Sequence, residues 1–285
     1  MNPAGENLPL RRYEPDRQRR LGLRAYAEMF RELRGAWELL ARLVRRDVLL
    51  RTRVSFLGLF WSVAQPALFA AVFVLLRRNG VFRADPESVP YGLYAYAGLL
   101  HWQLFANLLT HSASSLVGAS NLVAKVAFPR EALVLAACAR AGFDWLCGLP
   151  VLAALCVWTG TAPAWTAVLA PLALAPLVLF GLGLAHLLAV LTLPVRDLVH
   201  ALPMLLALGL FLTPVLYELP EAGPWPFLRA LNPVAVSLDA LRGLLFAGTL
   251  RDPWALAAWS ALGLAAYLGC WRLFRLLTIR VPEFA

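Results

Sequence analysis

NLVAKVAFPREAL, residues 121–133, sets the chain's only lysine and an Arg-Glu pair between two long, mostly uncharged runs. A short hydrophilic interruption of that kind is an elbow between membrane spans. It is too small for a domain, yet it carries charge, an aromatic ring and a proline, the makings of a docking knob for another protein. Upstream, residues 88–124 contain no Asp, Glu, Lys or Arg. Downstream, residues 132–158 are interrupted only by Arg140 and Asp144.

The rest of the chain has the same character. Sixty percent apolar and 15% charged residues in a chain of 285 leave too little polar surface to cover a soluble globule. A bilayer core takes about 20 apolar residues per helix. The apolar runs predict an all-α membrane protein with six transmembrane helices, at about 54–76, 91–118, 132–158, 165–193, 199–217 and 253–272. Counting Lys and Arg on alternate sides of these spans gives 20 against 6, so both termini are expected in the cytoplasm, where basic residues are retained. The net charge of +9 fits an anionic membrane surface rather than nucleic acid, because half the basic residues precede the first span. The inner (plasma) membrane is the expected location. No short apolar core with a small-residue cleavage site begins the sequence, so no removable signal peptide is expected. Cys138, Cys147, Cys156 and Cys270 lie within apolar runs and read as small buried hydrophobes rather than ligands or disulfides.

Residues 1–22 are polar and read as a flexible cytoplasmic arm. Over 23–50 the apolar residues Leu23, Tyr26, Phe30, Leu33, Trp37, Leu40, Val44 and Val48 recur every three or four positions with Arg and Glu between them. That period describes an amphipathic helix lying flat in the cytoplasmic interface, or else one packed on a soluble partner. Residues 51–285 form the transmembrane domain, with the elbow at 119–131. The outward segment 218–250 holds Pro220, Pro224, Pro226 and Pro233 among apolar runs too short to cross. It reads as re-entrant helices forming an outward gate, or as a surface loop with one interfacial helix.

Several chemistries are missing. No G-x-x-x-x-G-K-[ST] loop precedes Lys125, so the chain supplies no ATP site of that type. His101, His111, His186 and His200 lack metal-ligand spacing. Arg140 and Asp144, four residues apart, are placed to pair along one helix face, and few acids lie inside the spans to couple transport to ions.

Four blocks in order resemble the membrane subunits of ABC-2 exporters, and within them the permeases of O-antigen, capsule and teichoic-acid export. They are RTRVSFLGLFWSVAQP (51–66), the run through the second span to FPRE (128–131), PVRDLVHALP (194–203) with TPVLY (213–217), and LNPVAVSLDALRGLLF (231–246). FPRE is the most specific. Ala127, where the family often has an aromatic, and Val234, where Met is frequent, depart from the pattern.

The resemblance implies a homodimer of six-span subunits with two copies of a separate ABC ATPase subunit, which holds the ATP and Mg. This chain would be a transport permease and not an enzyme, with no cofactor and no metal of its own. Its cargo would be a polyprenyl-diphosphate-linked polysaccharide; a drug, peptide or small lipid, or transferase chemistry on polyprenyl-linked sugars, are the alternatives. The elbow becomes the coupling helix, with Asn121, Leu122, Lys125, Phe128, Pro129, Arg130 and Glu131 toward the ATPase, Phe128 entering an apolar pocket. A capped interfacial turn is the plainer alternative. Phe56, Phe60, Trp61, Tyr94, Trp102 and Phe105 are expected to line a path for sugar rings or to belong to interfacial aromatic belts. Pro214, Tyr217, Trp225, Asn232 and Pro233 are the expected gate. Arg42, Arg45 and Arg46 are expected to attract the lipid diphosphate.

Overall fold

A computed structural model gives the protein as a bundle of helices and describes residues 23–54, 56–80, 89–119, 128–219 and 223–278, the side chains of 23, 50–59 and 62 excepted. The arm 1–22 and the elbow residues Asn121, Leu122 and Lys125 lie outside this set. Every regular element among the described residues is helical. In order these are α1 (Leu23–Gly35), α2 (Trp37–Val54), α3 (Phe56–Arg78), α4 (Tyr91–Ser115) and α5 (Glu131–Thr159). Then come α6 (Trp165–Leu191), α7 (Leu198–Leu212), α8 (Trp225–Ala230), α9 (Pro233–Arg242) and α10 (Pro253–Thr278). α6 opens with a 3-10 turn, Trp165–Leu169, and α9 runs into a π turn, Gly243–Ala247.

The expectation of six transmembrane helices is corrected here. Among the described residues three helices are long and apolar enough to cross a membrane: Glu131–Thr159, Trp165–Leu191 and Pro253–Thr278. Leu198–Leu212 is apolar but has only 15 residues, short of what a bilayer core requires. Tyr91–Ser115 is long enough, but three tyrosines, His101, Gln103, Asn107 and His111 dilute its apolar character. Phe56–Arg78, whose opening turn falls among the excepted side chains, is not one of the three.

α4 is the axis of the fold. Seventeen of its 25 residues are buried, and it packs against α3, α5, α6 and α7. A helix enclosed on most sides by protein can carry polar side chains, since those find partners inside. Tyr96 donates to the Gly148 carbonyl at 3.0 Å, and Ser112 lies 3.3 Å from the Cys138 sulfur. α6 and α10 form the most extensive pairing. Their backbones approach because a Cβ at Gly183 would meet the Tyr267 backbone at 3.2 Å, and one at Gly263 would meet the Phe180 nitrogen at 3.3 Å. Small residues are the usual means of such approach where lipid removes the hydrophobic drive between helices. α5 ends at Gly160, whose φ of 67° supplies the left-handed C-cap.

The chain alternates between two ends of the bundle. One end gathers Tyr91, the 213–217 loop, α8 and the start of α9; the other gathers residues 128–131, α1 and the end of α10.

Candidate functional site

At the first end a buried arginine organises the loop after α7. Arg242 closes α9 and is only 8% exposed. Its guanidinium lies 3.5 Å over the Tyr94 ring and donates to the Tyr94 hydroxyl (2.8 Å), the Pro214 carbonyl (3.2 Å), the Tyr94 carbonyl (3.3 Å) and the Val215 carbonyl (2.5 Å). Gly98 makes room for this: a Cβ there would collide with the guanidinium and the Val215 carbonyl. The same loop is stitched to α4 twice more, by Tyr91 donating to the Leu216 carbonyl and Tyr94 to the Tyr217 carbonyl, both at 3.1 Å.

The residues expected at the gate fall around this knot. Pro214 contributes one of the carbonyls. Tyr217 turns its hydroxyl back to the Phe211 carbonyl at 2.7 Å. Asn232 caps α9, its side-chain oxygen accepting from the Val234 and Ala235 amides at 3.0 and 3.2 Å, with Pro233 in the first turn. Its amide donates to Thr213 Oγ1 at 3.0 Å, which ties the cap to the loop. Trp225 stands in the exposed first turn of α8, beside exposed Phe227 and Leu228. Arg229 and Asp239 pair at 3.2 Å. Burial lifts the Asp239 carboxyl above its ordinary range, against the opposing pull of the Arg229, Arg242 and Arg251 guanidiniums.

Five of the six aromatic residues expected along a path have described side chains. Phe60 and Trp61 are more than half exposed and meet edge-on, 5.8 Å between centroids. Tyr94, Trp102 and Phe105 are buried along α4. Phe56 opens α3, its side chain among those excepted.

At the other end the residues leaving the elbow grip the last helix. Phe128 is half-buried against the core, and Pro129 and Arg130 are half-buried. Arg130 donates to the Thr278 carbonyl at the end of α10. Glu131 is buried in the first turn of α5, where an acid complements the helix dipole. Its carboxylate lies 3.4 Å from Arg275 Nε, and Arg275 also pairs with Glu32 of α1. Phe30 packs edge-on against Trp271 at 4.9 Å, and Tyr26 donates to the Leu268 carbonyl at 3.4 Å.

The amphipathic stretch is divided into α1 and α2 at Ala36. Ala25, Met29 and Leu43 face inward, while Phe30 and Trp37 are exposed. Arg42 and Arg45 are exposed, Arg42 lying 3.7 Å from Glu38. Arg46 donates to the Asp47 carboxylate at 2.9 and 3.0 Å and lines a cavity of about 360 Å³ with His111, Ser114, Ser115 and Arg140. His111, from α4, lies 3.6 Å from Asp144. The partner brought to that acid thus includes a neighbouring helix's imidazole, where the sequence pointed to Arg140. Among the described residues no group of three or more His, Cys, Asp or Glu is placed to hold a metal ion.

Two residues went unassigned in the sequence. Arg242 has a visible signal, the one cation of the mostly apolar run 231–246, three residues after its one acid, Asp239. Arg275 has none, since its partners are 144 and 243 positions away.

Comparison with known proteins supplies the frame for both ends. The family described as ABC-2 type transporter matches residues 38–246. The O-antigen export system permease protein RfbA of Myxococcus xanthus is 30% identical over 260 residues, covering 90% of this chain and 98% of the relative. A protein of the same description from Klebsiella pneumoniae is 30% identical over 219 residues, covering 75% of this chain and 83% of its own. A second from Klebsiella pneumoniae is 29% identical over 220 residues, with the same coverage.

Proposed function

The chain belongs to the ABC-2 type transporter family, and on that premise we propose that it moves a lipid-linked polysaccharide out of the cytoplasm. It is a multi-pass membrane permease and a transport subunit rather than an enzyme. The observation that carries the cargo is its similarity to an O-antigen export permease along nearly the whole length of both proteins.

In this reading two copies of a separate ATPase subunit, binding ATP and Mg, dock at the elbow end on the cytoplasmic side. Phe128 and Pro129 meet the ATPase, together with Asn121, Leu122 and Lys125, and both termini of this chain lie on that side. Two copies of this chain enclose the path, in the inner membrane. The exposed apolar faces of α3 (Phe60, Trp61) and α7 (Met204, Leu208, Phe211) support a second copy there. Phe60 and Trp61 offer faces on which sugar rings slide, while Tyr94, Trp102 and Phe105 back the wall from inside the fold. α1 and α2 lie at the interface, where Phe30 and Trp37 enter lipid. The diphosphate of the carrier is drawn in by Arg42, Arg45 and Arg46. Arg46 opens onto the cavity that Arg140 shares, and guanidinium groups suit phosphate oxygens because they donate in pairs.

Deleting the gene tests this reading. The expected result is loss of one surface polysaccharide, with its polyprenyl-diphosphate-linked precursor accumulating inside. A strain with normal surface polysaccharide that loses resistance to one compound overturns it in favour of a small-molecule permease. Turnover of a polyprenyl sugar by the purified chain alone overturns it in favour of a transferase.

A further inference from the structure

We propose that Arg275 is the joint through which movement of the elbow reaches both the last helix and the interfacial helix. The proposal rests on the coupling role given above to the elbow, and extends it from a docking surface to the residues that carry its motion inward.

The geometry is a double grip. Arg130 and Glu131 are consecutive in sequence, and they hold two points one helical turn apart on α10. Arg130 donates to the Thr278 carbonyl, and Glu131 lies 3.4 Å from Arg275 Nε. Two attachments to one helix fix its direction as well as its distance, so the residues leaving the elbow cannot shift without carrying the end of α10 with them. Arg275 then passes the connection on, since its guanidinium also pairs with Glu32 of α1. α1 is held along the same stretch of α10 by Phe30 on Trp271 and by Tyr26 on the Leu268 carbonyl.

Burial makes this joint stiff. The Arg275 side chain is 11% exposed and that of Glu131 7%. An ion pair withdrawn from water cannot open cheaply, because separating it leaves a desolvated charge without its partner. Glu32 is 41% exposed, so its attachment is the looser one. A planar guanidinium can serve two carboxylates at once through different nitrogens, here Nε toward Glu131 and Nη2 toward Glu32; a lysine ammonium is a point charge on a flexible stem.

The functional consequence is a division of labour. Phe128 and its neighbours receive the push from the ATPase, and Arg275 distributes it. α10 extends to the gate end, where Trp259 donates to the Ala230 carbonyl of α8 at 2.6 Å. α1 carries the other branch to the α2 wall of the cavity lined by Arg46 and Arg140.

The test uses the full complex with its ATPase, reconstituted in vesicles with the lipid-linked polymer inside a defined lipid mixture, and reads polymer translocated per ATP hydrolysed. Arg275→Gln is expected to lower that ratio about tenfold, within the span of typical coupling free energies, with the complex still assembled. Arg275→Lys is expected to recover part of it. The exchange Arg275→Glu with Glu131→Arg is expected to recover more than either single change. Glu32→Gln, at the exposed position, guards against misfolding and is expected to lower the ratio by a smaller factor. An unchanged ratio in Arg275→Gln and Glu32→Gln, with Phe128→Ala still uncoupled, overturns the joint and leaves the elbow's docking role standing. An unchanged ratio in Phe128→Ala as well overturns both.

Discussion

Arg242 shows how one buried cation organises a loop. It satisfies two consecutive backbone carbonyls within the 213–217 turn, those of Pro214 and Val215, and that of Tyr94 on α4, groups that would otherwise be desolvated without partners. Leaving a buried acceptor unsatisfied costs about 1–3 kcal/mol, so Arg242→Met is expected to destabilise the protein by about 3 kcal/mol, measured as reversible unfolding in detergent or bicelles. Gly98→Ala is expected to produce the same loosening without touching the arginine, because its methyl group would occupy the guanidinium's place. Wild-type stability in both variants would show that the loop is held by other means. The Arg242 charge was visible in the sequence, but its partner Tyr94 is 148 positions away, and no local pattern links the two.

At the scale of elements, the close approach of α6 and α10 depends on two glycines whose value lies in what they lack. Gly263→Val is expected to cost about 1–3 kcal/mol through overpacking against Leu179 and Phe180. Gly269→Val, on the same helix with open space around it, is the matched control and is expected to be close to neutral. Equal effects at the two positions would mean that helix propensity alone decides. Asn232→Ala removes the cap of α9 and its tie to Thr213, with an expected cost of about 1 kcal/mol, read in the same unfolding assay. The helical boundary at Glu131 and the short proline-marked helices before α10 were legible, because charge, proline and the end of an apolar run mark them locally. The crossing number was not. An uncharged run such as 91–118 has the same length whether lipid or protein surrounds it, and the tyrosines, His101 and Gln103 that lower its hydropathy are tolerated because α4 is the enclosed axis of the fold.

For the whole molecule, composition was enough to assign the membrane, and the order of four short blocks was enough to point to the exporter family that the comparisons establish. The relation between distant parts was hidden: the elbow's attachment to α1 and α10 joins residues 32, 131 and 275, which only the folded chain brings together. If two copies enclose the path along α3 and α7, cysteines introduced singly at Leu208 or Phe211 in a background freed of the four native cysteines should cross-link between copies. Cross-linking absent there but present at a site on α10 would move the interface. The central claim is ATP-driven export of a lipid-linked polysaccharide by this chain with an ATPase partner. Its most direct measurement is translocation in vesicles carrying the purified complex, followed by accessibility of the polymer to an enzyme that cleaves it from the opposite side. The account predicts that polymer crosses only when ATP is supplied and the ATPase is present. Crossing that is independent of ATP, or ATP hydrolysis that the polymer never stimulates and that moves none of it, would contradict the account.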